Sequence, residues 1–342
     1  MTEYLEDNLP LIVTHNGTFH LDEVLGCFIL SKLFPTYKIV RSRDKEVIAK
    51  GTIVLDVGGV YDPDNNRFDH HQHGFTEVYQ KERCDILMSS AGLVFKKFGL
   101  QYLSQEFDLS RFSKKEVQEL IDRVYFEYLI TVDAQDNGRE ASEDNLYHAR
   151  NLGDLVKTMN PWFTDEEYNN TTKESRDAIT NRAFFRAMEI MGSDFERACR
   201  VFVLEQYNMV ELLKPENCQI IGQVHTGQYA YFAKAGMTSM GVKHLNAVRG
   251  YNILVFIVAD TNVSAGQTPR YTVNCISKNN CHYPTLAPLP KEWRGHRDDV
   301  FQMSSDRCIR DCLFVHATGF FGIATSRDCA EYMAKRALED YY

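Results

Sequence analysis

No apolar run in this sequence is long. The longest, Ile253 to Ala259, falls far short of the roughly 20 residues needed to cross a bilayer. Positive charge is scarce too: 38 Lys and Arg stand against 47 Asp and Glu, a net charge of −9. That balance argues against avid, non-specific duplex binding, which rests on neutralising many phosphates. An enzyme whose bound cations hold a nucleic acid is still compatible with it. There is no CxxC pair; nine scattered cysteines read as reduced thiols, Cys308 and Cys312 included. The acidic start MTEYLEDN has neither a basic n-region nor an arginine-rich leader, so a cytoplasmic or nuclear location is expected. Internal repeats and low-complexity tracts are missing. So are HExxH and any Ser/His or Cys/His nucleophile arrangement, which leaves a protein-hydrolase reading without support.

With 44% hydrophobic and 25% charged residues, 342 residues suffice for one large α/β domain or two ordinary ones. The first third alternates apolar runs with helical patterns, as βα units around a parallel sheet do. Strands are expected at 11–14, about 37–41 and 52–56. Leu21, Val24, Leu25, Phe28, Ile29 and Leu33 mark a helix between the first two. Another helix begins near Ser89, and Val117, Leu120, Ile121, Val124, Tyr128 and Val132 mark a longer one. A long helical stretch runs from about 173 to 213. Strand-like CQIIG, YAYFA, ILVFIVAD, YTVNCI and CLFVHA follow, closed by a helix at about 326–340.

The polar residues of interest fall where apolar elements stop. His15 follows the first strand, and His20 and Asp22 lie at the mouth of the next helix. Asp56 closes TIVLD, Asp69, His70 and His71 sit in RFDHHQHGF, and Asp133 ends the helix running through Val132. Ligands of parallel sheets bind beyond the carboxyl ends of the strands, so these segments should converge. Imidazole and carboxylate together suit manganese or a similar divalent ion, whereas calcium prefers oxygen alone. With Asp22, Asp56 and Asp133 ionised against two divalent cations, the site is net positive and suits a phosphate. The helix dipole near His20 adds to this. Alone, His15 or His20 would read as a surface histidine and Asp56 as a turn former. Asp136-Asn137-Gly138 reads as a loop, Asp62 and Asp64 likewise, and His73 flanks the site. The convergence of four segments is the signal.

FDHHQ after VLDVGG, preceded by HNGTFHLDE and followed by VDAQDNG, resembles the DHH phosphoesterase superfamily. LPKEWRGHRD and CLFVHATGFFGIATSRDCAEYMAKRAL are similar to its MYG exonuclease branch, formerly called metal-dependent protein hydrolases, so the likeness covers nearly the whole chain. The resemblance implies an α/β protein with an N-terminal DHH-type parallel-sheet domain, helices on both its faces, spanning 1–195. A linker helix at 196–214 and a smaller α/β or α+β domain at 215–342, closing over the active site, would follow.

By the same resemblance, one ion would be held by His15, His20 and Asp56, and a second by Asp22, Asp56, His70 and Asp133, with Asp56 bridging. Manganese is the first choice, with magnesium, cobalt, zinc and nickel as alternatives. Many superfamily members carry aspartate where this chain has His20; the MYG branch shares the histidine, which makes the site softer and less negative. His71 would face the substrate phosphate, and Asp69 would orient a histidine. The catalytic set is therefore His71, Asp69 and Asp56. Arg294, His316 and Gly319 are expected as substrate contacts: arginine for bidentate phosphate binding, glycine for close backbone approach. Lys243 and His244 are the alternatives.

The expected activity is that of a 3′–5′ exoribonuclease on single-stranded RNA, working by in-line attack of a metal-bridging hydroxide. Aromatic side chains could stack on its bases. A phosphohydrolase of pyrophosphate, short oligonucleotides or cyclic dinucleotides is the second reading, and a non-catalytic metal-binding regulator the third. No membrane partner is expected, and a homodimer is compatible.

Overall fold

A computed structural model describes residues 9–139, 150–162, 165–212, 217–233, 236–260, 268–278 and 285–342. The acidic first eight residues, and residues 213–216 where a domain boundary was expected, lie outside the described residues. Two compact units emerge, Met1–Phe202 and Val203–Tyr342.

The first unit begins with β1 (Leu11–Thr14), α1 (Leu21–Leu33), β2 (Lys38–Arg41), α2 (Lys45–Lys50) and β3 (Ile53–Leu55). The two-residue strands β4 (Tyr61–Asp62) and β5 (Arg67–Phe68) complete a sheet of order β2-β1-β3-β5-β4. β1, β2, β3 and β5 run parallel, and only the edge strand β4 is antiparallel. Every residue of β1 and β3 is buried, the continuous apolar pattern of a parallel sheet covered on both faces. Helix α1 is buried over nearly its whole length. A Cβ on Gly26 would meet Leu55 Cδ1 at 2.6 Å, so only glycine lets α1 lie this close to β3.

α3 (Ser90–Glu106), α4 (Lys114–Val124), α5 (Ile130–Asp136), α6 (Leu152–Met159), α7 (Glu166–Asn169) and α8 (Lys173–Leu212) follow. The expected helix through Val132 is thus two helices, joined by a π-helical turn at Tyr125–Leu129. Such turns insert a residue into the helical ladder and are frequent at functional sites. The expected linker stretch 196–212 is the end of the 40-residue α8, and the division between units falls inside that helix.

The second unit holds β6 (Cys218–Val224), β7 (Gly227–Phe232), α9 (Ser239–Arg249), β8 (Ile253–Asp260) and β9 (Arg270–Cys275). α10 (Asp298–Gln302), β10 (Cys312–Val315), β11 (Phe321–Ala324) and α11 (Arg327–Glu339) close it. Its sheet, β10-β11-β9-β8-β7-β6, is antiparallel except for β7 and β8, which α9 connects. Val255, Ile257, Val273 and Met333 pack on one face, and Phe232, Val242, Leu245 and Phe256 on the other. The α/β expectation holds, with mixed sheets in both units. Among the described residues no helix is long and apolar enough to cross a membrane, and the seven cysteines whose side chains are described are free thiols.

Candidate metal centre

The parallel strands of the first unit deliver their polar residues to one place. His15 lies one residue past β1, Asp56 one past β3, and Asp69 to His71 directly past β5. Asp56 has φ 54°, a left-handed conformation uncommon outside glycine, and Gly58 and Gly59 continue with φ 102° and 70°. This strained turn is stored where it aims a side chain, as functional turns often are.

The Asp56 carboxylate stands between two histidines. Oδ2 lies 3.1 Å from His15 Nε2, and Oδ1 3.2 Å from His70 Nε2. His15 Nε2 also faces Glu23 Oε1 at 3.1 Å. His70 Nε2 also faces Asp136 Oδ2 at 3.4 Å and Asp22 Oδ2 at 3.8 Å. An imidazole nitrogen carries one proton or one lone pair. Two or three carboxylates converging on one such nitrogen are better served by a cation than by that single proton. Asp22 Oδ2 accepts from Ser90 Oγ at 2.7 Å, while its buried Oδ1 has no hydrogen-bond partner. A buried carboxylate oxygen left so costs free energy unless a ligand satisfies it.

Electrostatics tell the same story. Burial would lower the His15 imidazole, but hydrogen bonds to Asp56 and Glu23 outweigh it and raise the group to about 10. His70 reaches about 9: burial opposes the shift, and Asp56, Asp22 and Asp136 drive it. Burial would raise Asp56, yet its two histidines hold it near 2. Burial lifts Glu23 to about 8 and Asp136 to about 8, aided by the charge of Asp22 in both cases. Burial, then the charge of Asp56, raises Asp22 as well. So much crowded anionic character suits added positive charge. Two groups of donors, His15, His20, Glu23 with Asp56 and Asp22, His70 with Asp136, each gather within 4.8 Å and could hold metal ions. Asp56 also groups with His70 and His71 in the same way. The mixed nitrogen and oxygen donors fit a divalent transition ion.

Asp69 is buried and fixes the motif rather than joining the cluster. Its Oδ1 accepts from His70 N at 2.8 Å, His71 N at 3.1 Å and His71 Nδ1 at 2.8 Å, while Oδ2 accepts from Gly59 N at 2.5 Å. The His71 ring, 64% exposed, therefore turns Nε2 outward. It lines a cavity of about 770 Å³ together with His15, His20, Asp22, Asp56 and Asp136.

One expected ligand is placed differently. Asp133 is fully buried: Oδ1 accepts from Ser89 N at 3.0 Å and Ser89 Oγ at 2.7 Å, and Oδ2 from Tyr125 OH at 2.6 Å. Its carboxylate closes the packing of α3 on α5, and Asp136, read as a loop, takes the place in the cluster. Helix α5 continues through Asp136, and Val132, Gln135 and Asp136 line the cavity from one face. Asp133 is off that face by the helical period.

A match to the MYG1 exonuclease family model, described as an uncharacterised protein family (UPF0160), extends over residues 11–338. The chain belongs to the MYG1 exonuclease family. The MYG1 exonuclease of Homo sapiens is 33% identical over 340 residues, covering 96% of this chain and 86% of that protein. The MYG1 protein of Dictyostelium discoideum is 33% identical over 346 residues, covering 96% of each. The MYG1 protein of Caenorhabditis elegans is 28% identical over 338 residues, covering 96% and 95%. These relatives support a nuclease-type hydrolase.

Two cluster residues of this MYG1-family chain escaped sequence reasoning, and both had a signal. The stripe through Val124, Tyr128 and Val132 continues by three and four to Gln135 and Asp136, not to Asp133. Glu23 stands three residues after His20, the spacing at which a side chain returns to a helix's first N–H. Glu23 Oε1 and Oε2 accept from His20 N at 2.9 and 3.0 Å.

In the second unit, Arg294 Nε donates to Leu289 O at 2.8 Å, and His316 Nδ1 lies 3.0 Å from Thr318 Oγ1. Gly319 (φ 76°) belongs to the same corner: its N–H donates to His316 O at 2.8 Å. A Cβ there would meet Arg294 Nε at 2.6 Å, so the room left by Gly319 is filled by Arg294 rather than kept for a phosphate. The alternative contact Lys243 donates to Ser277 Oγ at 2.9 Å.

Proposed function

We propose that the first unit is the hydrolytic centre of a divalent-metal-dependent phosphodiesterase of the DHH type, acting as a 3′–5′ exonuclease on single-stranded RNA. The observation that carries this reading is Asp56, whose two oxygens each face a different histidine within a crowd of carboxylates. His15, His20 and Asp56 would hold one ion, and Asp22, Asp56, His70 and Asp136 the other, with Glu23 steadying His15 and His20. Manganese is the first choice. When bound, such ions supply Lewis-acid stabilisation of phosphoryl charge and make water a nucleophile at neutral pH.

The chain's own residues supply the rest. Asp69 accepts a hydrogen bond from His71 Nδ1 and locks the ring, so that Nε2 is the atom aimed at the leaving oxygen as its proton donor. The buried walls, Phe19, Leu21 and Val57 among them, keep bulk water from the reacting atoms. Arg294 and His316 of the second unit would contact the substrate, and a cytoplasmic or nuclear location and a homodimer are part of the same reading.

The cavity size also suits a small phosphoanhydride or dinucleotide. One experiment separates the two readings. Chelator-stripped protein is given each divalent metal in turn with 5′-labelled and 3′-labelled single-stranded RNA, the matching DNA, and pyrophosphate. Stepwise shortening of 5′-labelled RNA with manganese is expected. Phosphate release from pyrophosphate alone would replace the exonuclease reading by the small-molecule one.

A further inference from the structure

The cavity wall holds two basic side chains that metal binding does not use, Arg43 and Lys157. Both are exposed, and neither forms an ion pair with any described residue, although the same cavity holds Asp22, Asp56 and Asp136. In a chain of net charge −9, cations kept apart from acids on the same wall are placed for an anion that comes from outside.

Their positions order the site. Arg43 lies two residues past β2, and β2 is the neighbour of β1 at the edge of the sheet. Read across the strand ends, the sequence is Arg43, His15, Asp56, then Asp69 to His71. Adjacent strands are about 4.8 Å apart, so this row sets Arg43 about 14 Å from the His71 end and well to one side of the Asp56 cluster. Lys157 comes from α6, which is tied at both ends to site elements. Gly153 N donates to Gln135 Oε1 at 2.9 Å. Asn160 takes the Phe19 N–H and returns a hydrogen bond to Phe19 O, both at 2.9 Å, inside the loop that joins His15 to His20. Lys157 is next to that tie: its carbonyl accepts from Asn160 N at 3.3 Å.

From this arrangement we infer a second phosphate subsite, formed by Arg43 and Lys157, that binds the phosphate next to the scissile one. The inference rests on the phosphodiesterase reading and deepens it by naming the substrate class: chains with at least two phosphates, one nucleotide apart. A diester with a single phosphate would engage the metal cluster and His71 and leave these cations idle. The anionic neighbour would gain two charge-assisted contacts, with arginine able to bind two oxygens at once.

The test compares the dinucleotide UpU with its 5′-phosphorylated and 3′-phosphorylated forms, in the manganese-loaded full chain and in its R43A/K157A variant. Cleavage gives KM and kcat. Phosphorothioate-linked versions, which resist cleavage, give binding by titration calorimetry at several salt concentrations. In the unaltered protein, one of the phosphorylated forms should bind about tenfold or more tightly than UpU. The double variant should lose that preference by raising KM with kcat unchanged. Its salt slope for that ligand should fall by about 1.4, two phosphate contacts' worth for a single strand. UpU itself should be unaffected.

Equal binding of all three dinucleotides by the unaltered protein overturns the subsite even if cleavage is fast. An equal loss on UpU and its phosphorylated forms in the variant overturns it too, because that marks a general structural effect. A preference that disappears in the variant, in a protein that cleaves nothing, leaves the subsite standing and removes the phosphodiesterase reading.

Discussion

The two units are both sheets packed with helices, yet their interiors are opposites. Buried in the first are His15, Asp22, Glu23, Arg41, Asp56, Asp69, Arg123 and Asp133, all ionisable. The buried polar side chains described in the second, Gln206, Asn217, Ser277 and Thr285, carry no charge. Burying ionisable groups opposes folding unless partners compensate, and an apolar replacement is often the more stable choice. The first unit has partners for most of these groups but leaves Asp22 Oδ1 without one and crowds several carboxylates together. A chain accepts such a cost where a site requires it, whereas the fully buried polar side chains described in the second unit bring no charge to compensate.

The strongest way to break this contrast is Asp56→Asn. If the cluster is the metal centre, removing the carboxylate shared by His15 and His70 should cut phosphodiesterase activity by about 10³-fold or more and abolish stoichiometric manganese binding. Activity and bound metal, measured on one preparation, check it. A variant that keeps both would show that the buried charges of the first unit have another purpose.

A finer division lies within the first unit, between two aspartates three residues apart. Asp136→Ala should weaken manganese binding by about 10²-fold or more while the metal-free protein keeps its thermal transition. Asp133→Ala strands the Ser89 N–H, the Ser89 hydroxyl and the Tyr125 hydroxyl, and should cost about 3 kcal/mol or more of stability. Calorimetric metal titration and denaturant unfolding of both variants separate the roles. The reverse pattern would restore Asp133 as the ligand.

For the second unit the matching perturbation is Met333→Ala, in the fully buried face of α11. It should destabilise by about 2–4 kcal/mol, read from denaturant midpoints, and leave manganese affinity unchanged. A loss of affinity as large as that of Asp136→Ala would mean that the contrast between the interiors is not a contrast of function.

How much of this was legible in the sequence depended on which element supplied the residue. Strand-borne residues were readable, since an apolar run ends sharply and His15, Asp56 and His70 stand at the stops. Helix-borne residues were harder. A helix offers every polar side chain along its length, and only phase separates a residue facing the cavity from one facing the interior. Asp136 was hidden by its place in the turn-like Asp136-Asn137-Gly138, although it is the last residue of the helix. The second unit's strands were plain, but Arg294 and Gly319 were not. An arginine that fills the space beside a glycine looks in sequence the same as a glycine cleared for a ligand.

The smallest expected effect tests whether the first unit's charges answer to a cation. In the metal-free protein His15 and His70 stand at about 10 and about 9, so both are protonated at pH 7.5. Their folded values lie above the ordinary histidine value of about 6.5. The stability they contribute is therefore complete below about pH 6.5 and lost as pH rises through 9 to 10. Glu23 and Asp136, raised to about 8, act in the same direction at lower pH: they favour the folded state while protonated and oppose it once ionised. Metal ligation requires the opposite protonation states, neutral imidazole and ionised carboxylate. Raising the pH from 6.5 to 9 should thus lower the thermal midpoint of the metal-free protein and widen the gap between it and the manganese-loaded form. At pH 7.5 binding should release about two protons from the histidines, with a smaller share from Glu23 and Asp136. Titrations in buffers of different ionisation enthalpy count them. Apolar Met333→Ala should leave that number untouched and Asp136→Ala should lower it, so the proton count divides the two interiors even where stabilities do not.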